Sequence, residues 1–165
     1  MHPISIPSLL KAPDQTEHID FKERLPNLET LTPVQGAISI THGGNFLQVA
    51  GSAEAIVTLT CDRCLKQYNH RITSQTSEII WLEHADPQLE PEPERELSVD
   101  DLVETLSPMG HFHPSEWIYE QMCLSIPQRK LCDADCPGID WDTAASNPAD
   151  SRWASLNQLR ENLLN

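Results

Sequence analysis

The polar and apolar positions change period part-way along the chain. In 34–59 the apolar residues fall on every second position: Val34, Ile38 and Ile40, then Leu47 and Val49, then Ala55, Val57 and Leu59. That alternation puts one set of side chains on one face of a strand. Gly36 and Gly51 share the same phase. His42-Gly43-Gly44-Asn45 interrupts it, and Gly-Gly between alternating runs suits a hairpin turn because both central positions can take positive φ. The runs at 47–51 and 55–59 read as separate strands. A further extended stretch carries Tyr68, Ile72, Ile79, Ile80, Trp81 and Leu82. Its middle, 73–78, is polar, as at an edge or on an outward-facing segment. Upstream, Ile19 and Phe21 alternate with His18, Asp20 and Lys22 as in a short half-buried strand. The first dozen residues are expected to lie extended along the body or to be mobile. Together these predict an antiparallel meander of about four strands.

Beyond 82 the pattern turns helical. The stretch 98–106 has Ser98 as a cap and Val99, Leu102, Val103 and Leu106 at helical spacing. The stretch 114–125 begins at Pro114, with Glu116 in its first turn, and stops at Pro127. Trp117, Ile118, Tyr119, Met122, Cys123 and Leu124 cover more than one face, which predicts a largely buried helix with Cys123 as a small core residue. A last helix is expected over 151–164, capped by Asp150, with Trp153, Leu156, Leu159 and Leu163 in one stripe. Such a stripe docks on a core or meets a partner helix. Between strands and helices, about 83–97, glutamates alternate with Pro87, Pro91 and Pro93. Proline blocks helix and like charges repel, so this is a flexible acidic loop.

The 165 residues fit one domain spanning 1–165. The fold class expected is α+β: an antiparallel sheet, two central helices and a C-terminal helix. No apolar run is long enough to span a bilayer, and the N-terminus lacks the basic region of a secretory signal, so a cytoplasmic location is expected. A formal charge of -14 argues against general affinity for nucleic acid. Of the eleven basic residues, Arg63, Lys66, Arg71, Arg129 and Lys130 flank the cysteines. If the cysteine pairs meet, these five form a local basic face for RNA or an acidic partner, or they only neutralise the sulfur cluster.

Five cysteines in a reduced compartment point to metal or thiol chemistry more than to disulfides. Cys61-Asp62-Arg63-Cys64 ends a β-run, and Cys132-Asp133-Ala134-Asp135-Cys136 follows much later. Short spacers let each turn aim two sulfurs at one point, so Cys61, Cys64, Cys132 and Cys136 together suit a tetrahedral zinc ion. A closed four-thiolate set leaves no position for substrate, which makes the site structural. Redox use of the first pair would call for a βαβ setting and a helix N-terminus, and neither surrounds it. His111 and His113 form an HxH beside a helix start; with four cysteines completing a ligand set, they read as loop residues. No phosphate-binding glycine loop, HExxH or nucleophile elbow occurs.

These stretches resemble a known family. Cys61-Asp62-Arg63-Cys64-Leu65, Glu120 to Pro127, Leu131-Cys132 to Cys136-Pro137-Gly138-Ile139, and Asp150-Ser151-Arg152-Trp153-Ala154-Ser155-Leu156 through Leu159 resemble the motifs of the large ribosomal RNA subunit accumulation proteins, the YceD family. Trp117 to Gln121 resembles its cyanobacterial and plastid branch. The resemblance implies a role in 23S rRNA accumulation, hence in large-subunit assembly, and carries over no catalytic residue. With the rest of the sequence it leads to the expectation of a non-enzymatic factor whose partner is 23S rRNA, a large-subunit precursor or a ribosomal protein, with no membrane and no small-molecule substrate. A zinc-stabilised interaction module unrelated to ribosomes, or a metal-dependent RNA-processing enzyme, remains the alternative.

Overall fold

The structure is a computed structural model and describes residues 1–83 and 104–139. The acidic stretch from residue 84 onward, most of the helix expected over 98–106 and the helix expected over 151–164 lie outside the described residues.

A five-stranded mixed sheet carries the molecule: β2 (Thr16–Glu23), β3 (Val34–His42), β4 (Phe46–Thr60), β5 (Gln67–Leu82) and β6 (Thr105–Leu106), adjacent in that order. The first four are antiparallel to their neighbours, and β6 runs parallel to β5. A second, two-stranded ribbon pairs β1 (Ile4–Ser5) with β7 (His111–Phe112). Two α-helices lie among the described residues, α1 (Ile6–Leu9) and α2 (Pro114–Leu124).

Sequence period sets the faces. Val34, Ile38, Ile40, Leu47, Val49, Ala53, Ala55, Val57, Leu59, Ile72 and Ile80 are all buried on one side of the sheet. Helix α2 lies across this face and adds Trp117, Ile118 and Met122 to the core. The turn after His42 forms the expected hairpin, closed by the Gly43 N–H donating to Phe46 O at 2.8 Å.

Four expectations need correction. The runs at 47–51 and 55–59 belong to one 15-residue strand, with unbroken register from Phe46↔Trp81 to Thr60↔Gln67. Gly51, the apparent break, makes room for a helix: a Cβ there would lie 2.8 Å from Trp117 Cζ3. The end of the stretch 98–106 is strand, since Thr105 and Leu106 pair with Trp81 and Leu82. The first dozen residues are not extended throughout. Pro7 sits in the opening turn of α1, where its missing N–H does no harm, and Ile6 and Leu9 are fully buried. Finally, α2 buries one face only. Leu124 is 79% exposed, and Tyr119 and Cys123 are half-buried, because a helix on a single sheet face has water behind it.

No helix among the described residues is long and apolar enough to cross a membrane.

Gly51→Ala is expected to push Trp117 off the sheet and destabilise the fold by about 1–3 kcal/mol, the usual range for overpacking. Denaturant unfolding measures the loss, and a shift in tryptophan emission reports the displaced ring.

Candidate metal centre

The first cysteine pair is the connection between the two longest strands. Strand β4 ends at Thr60 and β5 starts at Gln67, so 61–66 close this hairpin. The Cys61 N–H donates to Lys66 O at 2.9 Å, and the Leu65 N–H donates to Cys61 O at 2.9 Å. Closing the loop so tightly puts Leu65 at φ 61°, in the left-handed region, with its side chain 63% exposed. L-residues adopt that region at a cost of about 1–2 kcal/mol. The loop's own hydrogen bonds at Cys61 and Leu65 offset that cost.

The second pair follows α2. The Cys136 N–H donates to Asp133 O at 3.2 Å, and the Asp135 N–H donates to Asp133 Oδ1 at 2.8 Å, so the spacer folds on its own aspartate. Gly138 leaves the turn at φ 87°, a conformation suited to glycine.

Polar bonds clamp the two loops together. The Asp62 N–H donates to Lys130 O at 2.8 Å, and the Lys130 N–H donates back to Asp62 Oδ2 at 2.7 Å. Arg63 Nη1 donates to Cys136 O at 3.0 Å. Inside the clamp, Cys61 Sγ lies 3.8 Å from Cys136 Sγ, and Cys64 Sγ lies 3.7 Å from Cys132 Sγ. All four sulfurs fall within 4.8 Å of one another.

These distances fit a tetrahedral ion. Metal–sulfur bonds of about 2.3 Å place tetrahedral corners about 3.8 Å apart. They are far too long for disulfides, whose sulfurs lie about 2.05 Å apart. Cys61 and Cys136 are buried, Cys64 is half-buried and Cys132 is exposed, so the centre sits at the surface with its inner half walled in.

Without an ion, the sulfurs hold protons unequally. Backbone N–H groups of Cys64 first, then of Cys132, stabilise a Cys61 thiolate and lower its pKa to about 6. Hydrogen bonding of the Cys132 thiol to Cys136 and Cys64 raises its pKa to about 12. Nearby Tyr68 is pushed up, by desolvation first and then by the negative charge of Cys61, Asp62 and Cys132.

Of the five flanking cations, Arg63, Lys66 and Lys130 are tied to the cluster through the bonds above, and Arg129 is exposed beside Lys130. Arg71 stands apart. It lies across from Ile56 on the sheet and binds Glu54 Oε2 at 2.8 Å; the Glu54 pKa is lowered by a hydrogen bond from Gln35 first, then by Arg71. His111 and His113 do not join the sulfurs. His111 is in strand β7 opposite Ser5, not in a loop, and His113 Nδ1 faces Glu116 Oε1 at 3.9 Å in front of α2. Asp62 is the functional residue the sequence did not single out. Its position between the cysteines suggested a spacer, and its two hydrogen bonds with Lys130 depend on a segment 68 residues away.

A model of the family described as large ribosomal RNA subunit accumulation protein YceD matches residues 49–160, which is more than half of the chain and includes all four cysteines of the cluster. The chain belongs to the YceD family. No curated protein and no solved structure matches it at a significant level. Within this YceD chain the match begins inside β4, so the two long strands, the first cysteine loop, α2 and the second cysteine loop are the family portion. The segment 1–48, which supplies β1, α1, β2 and β3, lies outside it.

Metal affinity is expected to rise with pH. Above about pH 6 Cys61 already offers a thiolate, so it gives up no proton to an incoming ion. Cys132 keeps its proton up to about pH 12 and must release it. Each proton displaced makes affinity about tenfold higher per pH unit. Chelator competition between about pH 7 and 8 should therefore show at least that slope, steepening below about pH 6, where Cys61 must also lose a proton. Asp62→Ala removes one half of the clamp and should lower metal affinity by about tenfold, as loss of a supporting partner does.

Proposed function

We propose that this protein is a non-enzymatic factor supporting the accumulation of large-subunit ribosomal RNA, hence large-subunit assembly, in the cytoplasm. The family match over 49–160 carries this reading, because it spans both cysteine loops and the helix between them. The ion proposed for the cluster is zinc, in a structural role. Four cysteine sulfurs are the donor set of closed zinc sites, and a fourth sulfur occupies the position that a catalytic zinc keeps for water. The ion would fasten the β4–β5 hairpin to the chain leaving α2, and its Lewis acidity would have no substrate to act on.

The mode of action proposed is binding. Arg63, Lys66, Arg129 and Lys130 surround the centre, but Asp62, Asp133 and Asp135 lie in the same two loops. Four thiolates on a divalent ion add a net charge of about -2. The local field is therefore close to balanced, and the whole chain carries -14. A basic ribosomal protein suits that charge better than RNA does. Direct contact with 23S rRNA is the second reading, favoured by the four cations gathered at one end of the sheet; Arg71, engaged with Glu54, contributes least to it.

Deleting the gene should lower the ratio of 23S to 16S rRNA, and the wild-type chain should restore it. Cys64→Ser should bind metal more than about a hundredfold more weakly than wild type, read by metal analysis, and should fail to restore the ratio. Unchanged rRNA after deletion would defeat the ribosomal reading. Pull-down before and after nuclease treatment separates the partners: ribosomal proteins retained after RNase support the protein partner, and complete loss assigns the contact to RNA.

A further inference from the structure

Among the described residues, the outer edge of β5 before Trp81 has no strand beside it. The Leu82 N–H donates to Asn45 O at 2.8 Å, toward β4, while the Trp81 N–H donates to Glu104 O at 3.1 Å, away from it. Backbone groups alternate sides along a strand, and the β4–β5 register has no bulge. The N–H and C=O of Arg71, Thr73, Gln75, Ser77 and Ile79 therefore point away from β4. Among the described residues none of them has a backbone partner there. At its far end the same edge already accepts a strand. β6 docks parallel to it, and the Glu83 N–H donates to Leu106 O at 2.9 Å.

Strand edges are commonly blunted by charge, proline or bulges. The sheet's other edge follows that rule: Glu17, His18, Asp20, Lys22 and Glu23 fall within the eight residues of β2. From Ile72 to Leu82, β5 has no proline, no lysine and a single charged residue, Glu78. Beside this stretch the carboxylates of Glu78, Glu104 and Glu120 gather. Glu78 Oε2 accepts from Trp117 Nε1 at 2.7 Å. Glu104 is held above the usual carboxylate range by partial desolvation first, then by the charges of Glu78 and Glu120.

We propose that the β5 edge from Arg71 to Ile79 takes an extended, lysine- or arginine-bearing segment of another protein as an added strand, with a cation at the Glu78 end. Backbone pairing gives the affinity in this mode of recognition, and side chains set the choice of partner. The three carboxylates supply complementary charge where β5 itself offers none to oppose a cation. At the other end Arg71, paired with Glu54, would repel one, which fixes where the partner's charge belongs. A second copy of this chain is disfavoured, because two bodies of charge -14 repel. The Glu78 end lies about 36 Å along the strand from Gln67 and the metal centre. The inference does not depend on the ribosomal reading.

The test uses the full, metal-loaded chain and a fluorescent peptide alternating lysine and valine, followed by anisotropy. The peptide is expected to bind, and its glutamate–valine counterpart to bind at least about tenfold more weakly. Two further versions carry backbone N-methyl groups on one or the other alternate set of residues. One set should weaken binding about tenfold or more and the other by less than about threefold, since only one edge of an added strand faces β5. Gln75→Pro removes an outward N–H that the β4 ladder does not use, so the variant should keep its circular dichroism and lose the peptide. If that variant does not fold, the N-methylated peptides decide the matter on the unaltered protein. Absence of binding, indifference to N-methylation, or equal binding of the acidic peptide overturns the proposal. A dimer in sedimentation that Gln75→Pro dissociates assigns the edge to a second copy and overturns it as well.

Discussion

Where Cys61 Sγ stands 3.8 Å from Cys136 Sγ, a β-hairpin and the chain leaving a helix are held to one geometry. The rest of the molecule has other means of support. The sheet has its ladders and a continuous buried face, and α2 has Trp117, Ile118 and Met122 against that face. The segment 128–139 has almost nothing of the kind. Cys136 is its only buried residue, and most of its side chains face water. Ordering one residue's backbone opposes folding by about 1–2 kcal/mol, so an exposed stretch of this length needs strong local fastenings. The Asp62–Lys130 bonds, the Arg63–Cys136 bond and the meeting of four sulfurs are those fastenings. They place the later loop against the end of the sheet, with Cys136 as its one buried side chain among the described residues.

The strands and the central hairpin were legible because their signals are local. Period two from Val34 to Leu59 put the right residues inside, and His42 to Asn45 turned where two glycines allowed it. The four-cysteine cluster was legible for a different reason: two close thiol pairs at this spacing have few uses other than a shared metal ion. What stayed hidden depends on contacts from far along the chain. Gly51 looks like a break in a strand until Trp117 is seen lying on it. Arg71 looks like a neighbour of the cysteines in sequence, yet a strand advances about 3.3 Å per residue and carries it away from them. The N-terminal prolines looked like an extended leader, whereas Pro7 opens a helical turn whose value comes from burying Ile6 and Leu9. Strand β6, two residues long, has no period to detect.

Charge is distributed with a similar division of labour. The chain is strongly acidic as a whole, but its cations concentrate where the sulfurs would carry negative charge. They act partly through their backbones: Lys66 and Lys130 offer carbonyl oxygens to the loops, and only Arg63 is seen using its side chain on the cluster. The side chains of Lys66 and Lys130 take no part in those backbone bonds.

The first cysteine loop is also the β4–β5 hairpin turn, and this bears on the order of assembly. Its two sulfurs come together as soon as neighbouring residues pair, a local event that closes a short loop. The other two belong to the loop that follows α2, so Cys132 must come back from 68 positions away in sequence to reach Cys64. If the cluster takes an ion, an early encounter would find only half a ligand set and the ion could leave again. Full capture would then wait for both loops to be in place, so retention of the ion would distinguish finished molecules from those still assembling.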